Sequence, residues 1–307
     1  MDSLFVAIAS LLAGLLLRRL GRMPEAADRT VSGLVIQFSA PPVAFLAARS
    51  MPFSAEMLLP ASMAWVLFGA GFLIFGALRK PLGLSRESFG CLMLTAAMSN
   101  VVFIGLPMIE AFFGHQLVYV AFLCDSPGVS LVLAVPGVLL ATHLSGRGGE
   151  GGGLARVRAS LKGVLSFPPL QGLLLGLLLR GVALPDWLLG GLARVGATLV
   201  PLSLFSVGLG LRFRLPAGAR RNLALGLAYK LVLAPVLMLG VALLVFGNRG
   251  PVAQVTVFEA AMPPMVLGGI LATDHGLDPE LAALMVSVGT PLAFLTLPLW
   301  RWALSLL

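Results

Sequence analysis

The sequence predicts an all-α integral membrane protein of ten transmembrane helices, a 5+5 inverted repeat with broken fourth and ninth helices. Composition is the first reason. Of 307 residues, 58% are hydrophobic and 11% charged, where water-soluble chains run at roughly 45–50% and 25%. Too few polar side chains remain to cover a surface facing water. Secondly, apolar runs long enough to cross a ~30 Å hydrocarbon core recur from one end to the other. Thirdly, two of those runs are interrupted by proline at corresponding places in the two halves.

The runs are Ser3–Leu17, Val31–Ala48, Met57–Leu78, Ser88–Phe113, Leu117–His143, Leu161–Leu179, Trp187–Leu211, Asn222–Phe246, Val252–Thr273 and Leu281–Leu304. The first is short if it stops before Arg18, and a snorkelling Arg extends it. Met1-Asp2-Ser3 lacks a basic n-region, so this run reads as a retained helix rather than a cleaved signal. The loops after the odd-numbered runs, with their edges, hold fifteen of the 21 Lys and Arg residues, from Arg18 and Arg19 to Arg220 and Arg221. The positive-inside rule then puts those loops in the cytoplasm and both termini on the non-cytoplasmic side of the cell membrane. The net charge of +8 is therefore a topology signal. It is scattered over loops, without the basic face that nucleic-acid binding requires.

The stretch from Ser145 to Gly153 is flexible by composition and falls near the midpoint. It divides a first five-helix repeat (1–144) from a second (161–307), with 145–160 as a cytoplasmic linker. Gly14-Leu-Leu-Leu-Arg18 reappears as Gly176-Leu-Leu-Leu-Arg180, 162 residues later, and Pro136 meets Pro298 at the same offset. Five helices per half is odd, so the second half enters from the opposite side, as in many secondary transporters. Gly172 and Gly176 have helix-packing spacing, but the glycine enrichment common to membrane helices accounts for them as well, and is the reading taken here.

Run four contains Ser99-Asn100-Val-Val-Phe-Ile-Gly105-Leu-Pro107, and run nine contains Thr256-Val-Phe-Glu259-Ala-Ala-Met262-Pro263-Pro264. Aligning Pro107 with Pro263 sets Asn100 opposite Thr256. Proline removes an N–H and clashes with the preceding turn, and it biases the residue before it away from the helix. Unwound backbone inside a membrane must face protein or a wet cavity. The half-helix N-termini beyond each break offer N–H groups and a positive dipole end to a carboxylate. Paired interruptions of this kind are the best pointer in a sequence to a transporter site.

The stretch Ser99 to Pro107, continuing through Ala111-Phe-Phe-Gly114, resembles the fourth helix of the auxin efflux carrier family, which includes the plant PIN-FORMED proteins and bacterial relatives. Ala260-Ala-Met-Pro-Pro264, Ala272-Thr-Asp-His-Gly-Leu-Asp278 and Thr290-Pro-Leu-Ala-Phe-Leu-Thr-Leu-Pro298 resemble its last two helices, and Lys230-Leu-Val-Leu-Ala-Pro235 its eighth. The resemblance implies an architecture like that of the sodium/bile-acid symporters, with helices four and nine crossing at their broken centres. Helices one, two, six and seven would form a dimerising scaffold, and helices three to five and eight to ten a mobile elevator. It implies a small organic anion as substrate, a mono- or dicarboxylate. Asn100, Gly105 and Pro107 would line the site from one half, and Pro263 and Pro264 from the other. Thr256 and Met262 stand where a second Asn-type anchor is expected.

Apart from Lys162 and Arg301 at run edges, the charged residues inside the runs are Glu110, Asp125, Arg194, Lys230 and Glu259. Such groups are costly in a bilayer and face protein or water. Glu259, a turn before Pro263, is the candidate carrier of a coupling proton or the partner of a cation; a structural pairing with Lys230 is the alternative. Asp125, with Ser126, is a candidate Na⁺ ligand or a structural group, and Lys230 a counter-charge to an anion or to Glu259. No cofactor is expected, and the coupling ion is H⁺ or Na⁺. The sequence has no HExxH, GxSxG or P-loop motif, and Cys91 and Cys124 make neither a CxxC nor a disulfide framework. An enzyme or ATP-driven pump is therefore not expected. A sodium-coupled bile-acid-type symporter would need more Asn, Gln, Ser and Glu around the crossing than Asn100, Gln37, Gln254 and Thr256. A membrane ligand sensor without transport would use the same pocket.

Overall fold

The structure, a computed structural model, describes residues 2–145, 153–211 and 220–307. Residues 146–152 of the predicted linker, with Arg147, lie outside the described residues, as do Arg212 and Arg214, while the linker's last residues, from Gly153, belong to a helix. Among the described residues every named element is helical. The helices are α1 (Asp2–Arg19), α2 (Ala27–Leu34), α3 (Ala40–Ser50), α4 (Leu58–Arg79), α5 (Arg86–Thr95), α6 (Leu106–Phe113), α7 (Val118–Cys124), α8 (Val138–Leu144) and α9 (Gly153–Leu165). They continue as α10 (Pro168–Leu178), α11 (Asp186–Gly196), α12 (Leu199–Gly210), α13 (Arg220–Ala228), α14 (Ala234–Leu244), α15 (Pro251–Ala260), α16 (Val266–Asp274) and α17 (Pro279–Leu304).

Several of these are pieces of one span joined through π-helical turns, at Val35–Ser39, Val101–Gly105, Asp125–Ser130, Leu133–Gly137 and Tyr229–Leu233. Among the described residues, six stretches are long and apolar enough to cross a membrane: Ala27–Ser50, Ala55–Arg79, His115–Leu144, Asp186–Gly210, Arg221–Val245 and Pro279–Leu304. A seventh is made if Val157–Leu165 and Pro168–Leu178, bent by 55° where Pro168 follows Phe167, count as one. The first run does not stop before Arg18: α1 continues through Arg19, whose neighbour Arg18 reaches down to the carbonyls of Pro24 and Glu25. Many large apolar side chains point outward, Leu178, Trp187 and Leu244 among them. On a multi-pass membrane protein that surface is lipid-facing.

The chain divides into two compact units, each discontinuous in sequence. The first comprises Met1–Ser54, Val102–Phe122 and Leu165–Arg212. It is held by close backbone approach through glycine. A Cβ on Gly14 of α1 would lie 2.2 Å from the Phe205 carbonyl oxygen of α12, and one on Gly208 of α12 2.2 Å from that of Leu11. Gly176 and Gly172 of α10 face the carbonyls of Phe45 and Pro41 in α3 at 2.3 and 2.4 Å in the same sense. Gly172 and Gly176 are thus a helix-packing face, against the reading of simple enrichment, because only a residue without Cβ admits a neighbouring carbonyl that close. Hydroxyl pairs stitch the same unit, Ser32 to Ser206 at 2.7 Å and Ser39 to Thr198 at 2.8 Å.

The second unit comprises Ala55–Val101, Leu123–Val164 and Phe213–Leu307. Two helix starts are tied together at one end of it. Ser85 caps α5 by accepting from the Ser88 N–H at 2.9 Å, and Ser88 Oγ donates to Asp278 Oδ2 at 2.6 Å. Asp278 caps α17 in turn, accepting from the Leu281 N–H at 3.1 Å. It does so from a left-handed backbone, φ 49°, which short Asp side chains tolerate. The interior of this unit holds the two helix breaks.

Candidate functional site

The first break follows Thr95, the last residue of α5: residues 96–100 are unwound before the π turn Val101–Gly105 leads into α6. The second follows Ala260, with residues 261–265 unwound between α15 and α16. Pro263 and Pro264 lie inside the second break and account for it directly. The first break contains no proline. Pro107 lies inside the continuous helical stretch Val101–Phe113, just past the π turn Val101–Gly105, which accommodates it without unwinding the chain there. The sequence reading that set the break at Pro107, and Asn100 opposite Thr256, is therefore corrected. Since α5 ends at Thr95 and α15 at Ala260, Asn100 corresponds to Met265.

The unwound segments run antiparallel across each other, with a single bridge between Ser99 and Pro264. The Asn100 N–H donates to the Pro263 carbonyl at 3.0 Å, and the Met265 N–H to the Thr95 carbonyl at 3.2 Å. Each break thus satisfies main-chain groups of the other, which lipid would leave unpaired. Two glycines permit the crossing: a Cβ on Gly268 would lie 1.7 Å from the Leu94 carbonyl oxygen, and one on Gly289 of α17 2.7 Å from the Pro264 ring. Asn100, Met262, Pro263 and Pro264 all meet at this crossing and all are buried. Thr256 does not: it lies inside α15, and its hydroxyl donates to the Val252 carbonyl at 2.7 Å. Gly105 and Pro107, also buried, are grouped with the first unit.

Three charged side chains are sealed into the second unit. Lys230, on the π turn Tyr229–Leu233, is wholly buried. Its Nζ donates to Ser99 Oγ at 2.5 Å and to the Ala260 carbonyl at 2.9 Å, so it touches both breaks at once. Glu259, the penultimate residue of α15, is also wholly buried, and neither carboxyl oxygen has a hydrogen-bond partner. The direct Lys230–Glu259 pairing is therefore not the one made. Asp125 opens the π turn Asp125–Ser130 and accepts from Ser130 Oγ at 3.3 Å, while Ser126 Oγ and Asn100 Nδ2 are buried without partners. Glu110 is partly exposed, 3.8 Å from His115, and Arg194 is exposed on α11. Gln37 is exposed and Gln254 bonds the Arg249 carbonyl. Among the described residues no three His, Cys, Asp or Glu gather as a metal would require. Ser99 and the Ala260 carbonyl were not singled out from the sequence. Only the small polar Ser99 beside Asn100 within an apolar run was a signal.

The crossing is thus a desolvated place with a spare amide donor, Asn100 Nδ2, and, one residue before the end of α15, a spare carboxyl, that of Glu259. Buried groups left unpaired are the exception in folded proteins.

Comparison with known proteins gives the setting. A family model described as "Membrane transport protein" matches residues 1–145 and 155–301. An uncharacterized transporter of Methanothermobacter thermautotrophicus is 30% identical over 97% of this chain and 96% of its own length. Another, of Methanocaldococcus jannaschii, is 25% identical over 99% of this chain and 98% of its own. Broken helices that complete each other's hydrogen bonds inside an apolar unit are a recurring feature of secondary transporters. The chain belongs to this membrane transport protein family, the auxin efflux carrier family that its helix-break motifs resemble, and it is a multi-pass transporter.

Proposed function

We propose that the chain is a secondary transporter of a small organic anion, a mono- or dicarboxylate, working by elevator-type alternating access around the crossing. The observation that carries this reading is the crossing itself: it leaves Asn100 Nδ2 unpartnered and buried beside the start of α16, a half-helix without a side-chain cap. An amide donor and a positive helix end suit a carboxylate in a medium where water is excluded. Asn100, Met262, Pro263 and Pro264 line the site, with Gly105 and Pro107 following it along the chain. Thr256 acts at most through α15. Glu259 carries the coupling charge, Asp125 supports it, and Lys230 offsets it.

The ten-helix, inverted-repeat reading is supported by paired contacts within the first unit. Gly14 of α1 meets the Phe205 carbonyl, and Gly176, its sequence counterpart, meets that of Phe45. An elevator is supported by the two units, each built from separate stretches of chain. The scaffold segments dimerise, and the protein resides in the cell inner membrane with both termini non-cytoplasmic; the distribution of Lys and Arg supports that orientation. The test is reconstitution into liposomes with charge movement recorded on a supported membrane, using small carboxylates with and without Na⁺ and a pH step. A saturable current for one acid is expected, reduced in Asn100→Ala. Silence across the panel, with flat tracer uptake in folded protein, would move the reading to a ligand sensor.

A further inference from the structure

In the first unit, at the end of α10, the guanidinium of Arg180 has a nitrogen, Nη1, that is closed to water and has no hydrogen-bond partner. Its Cζ lies 4.6 Å from the centroid of the Phe53 ring, and Phe53 is otherwise 71% exposed. An aromatic face attracts the charge but does not replace an oxygen acceptor, and a buried donor left unmet is costly. The contrast with Arg18 is informative, since both close the same Gly-Leu-Leu-Leu-Arg stretch. The Arg18 guanidinium donates to the carbonyls of Pro24 and Glu25 at 3.0 and 3.2 Å. After α10 the carbonyls of Leu179 and Val182 are taken by Arg49 instead, the second at 2.7 Å. Arg180 is thereby released from main-chain work. Arg49 also offsets the negative C-terminal end of α10, which would otherwise repel an anion. Among the described residues neither arginine pairs with a carboxylate.

We propose that Arg180, with Arg49 beside it and Phe53 as a movable cover, binds the headgroup phosphate of an anionic phospholipid. A guanidinium is a planar fork that meets two phosphate oxygens with two parallel N–H groups, and Nη1 is the prong that lacks an acceptor. The place fits a lipid rather than a soluble anion. One apolar span ends at Ser50 and another begins at Asp186, so Phe53 and Arg180 both lie at the membrane surface. Trp187, 77% exposed, stands at the same level, where tryptophan anchors spans among headgroups. Leu174 and Leu178, one turn apart on α10 and both exposed, offer an apolar track for the acyl chains below the phosphate. Phe53 belongs to the non-helical stretch after α3 and is largely exposed, so it can swing aside as the phosphate enters. In the proposed orientation this is the side on which Lys and Arg are scarce, and two of its few arginines meet here.

The test uses full-length protein in neutral detergent micelles, with thermal unfolding followed as phosphatidylglycerol, phosphatidylcholine or inorganic phosphate is added. Wild type is expected to gain about 3 °C, saturably, at roughly ten times the half-saturating amount of phosphatidylglycerol. Phosphatidylcholine should give a smaller rise, and inorganic phosphate at the same concentration none. Arg180→Gln gives up no hydrogen bond, so it should unfold near wild type without lipid and lose the response to phosphatidylglycerol. Arg180→Lys keeps the charge but not the fork, and should need about tenfold more of that lipid. An undiminished response in Arg180→Gln would overturn the site, as would an equal response of wild type to phosphatidylcholine or to inorganic phosphate. If neither variant folds, the guanidinium is structural and the proposal fails. Because no transport is measured, failure to find a carried anion would count against the proposed function and leave this result standing.

Discussion

Gly268→Ala adds one methyl group where the structure has no room for it. The new Cβ would lie 1.7 Å from the Leu94 carbonyl oxygen and 2.8 Å from its carbon. Carbon and carbonyl oxygen come no closer than about 3.3 Å even in favourable C–H···O contacts, so α16 must retreat from α5 by about 1.5 Å. Leu94 cannot yield: it is wholly buried, and the next carbonyl, of Thr95, is held by the Met265 N–H at 3.2 Å. Retreat therefore breaks that hydrogen bond and opens the crossing. Overpacking costs about 1–3 kcal/mol and a lost main-chain hydrogen bond about 1 more. The neighbouring Gly269 is the internal control. A Cβ there meets only ordinary contacts, at 3.6 Å from Val286 and 3.7 Å from Thr95, and Ala in place of Gly favours a helix by up to about 1 kcal/mol. Thermal unfolding in detergent, read by intrinsic fluorescence, should put Gly268→Ala below wild type by several degrees and Gly269→Ala at or above it. Equal midpoints for the two variants would refute the close approach of α16 to α5.

Asn100→Ala is expected to leave the unfolding midpoint nearly unchanged, since the buried amide nitrogen has no partner to lose, while transport falls about tenfold or more, the worth of one hydrogen bond to a charged ligand. A parallel fall in stability and flux would count against a role in binding. Glu259→Gln keeps the shape of the side chain and removes its charge, so pH-driven uptake should vanish while counterflow persists; unchanged coupling would remove Glu259 from the proton path. Ser85→Ala should cost about 1 kcal/mol as the cap of α5 is lost. It should also relax Glu87, whose carboxyl is held below the usual range by its own main-chain N–H and then by the Ser85 hydroxyl. A depressed carboxylate stabilises the fold above its unfolded value and loses that contribution as pH falls through the folded one. The small loss of stability on acidification should therefore be weaker in Ser85→Ala, as midpoints measured from pH 6 to pH 3 would show.

The parts of this molecule that physical chemistry makes expensive were the parts readable from its residues. Apolar runs have to be long to cross a bilayer, and charge inside them is rare enough that Asp125, Lys230 and Glu259 stood out at once; all three are buried in one unit. Pro263 and Pro264 break a helix by their covalent structure, and the chain is unwound there. Pro107 misled for a complementary reason. A proline inside a helix can be absorbed by a π turn, as at Val101–Gly105, instead of unwinding the chain, and nothing local in the sequence says which will happen. The first break owes its existence to partners far along the chain: the Pro263 carbonyl accepts the Asn100 N–H and the Met265 N–H satisfies the Thr95 carbonyl, bonds that a continuous helix would have made locally.

The π turns explain why the partners themselves could not be foreseen. A reading at 3.6 residues per turn assigns each side chain to a face, but one inserted residue rotates everything after it by about 100°. Lys230 and Asp125 both lie on such turns, and Asn100 immediately precedes a third. From the sequence, a pairing of Lys230 with Glu259, two opposite charges in consecutive spans, was the structural alternative to a coupling role. The turn at Tyr229–Leu233 instead brings the ammonium to Ser99 and to the carbonyl one residue past Glu259. That single displacement changes the chemistry. A Lys–Glu pair would have neutralised both charges and left the crossing to find an ion elsewhere, whereas an ammonium bound to neutral oxygens joins the breaks and leaves a carboxyl free to gain or lose a proton. Uptake driven by pH in wild type and lost in Glu259→Gln is the behaviour expected if that free carboxyl carries the coupling proton.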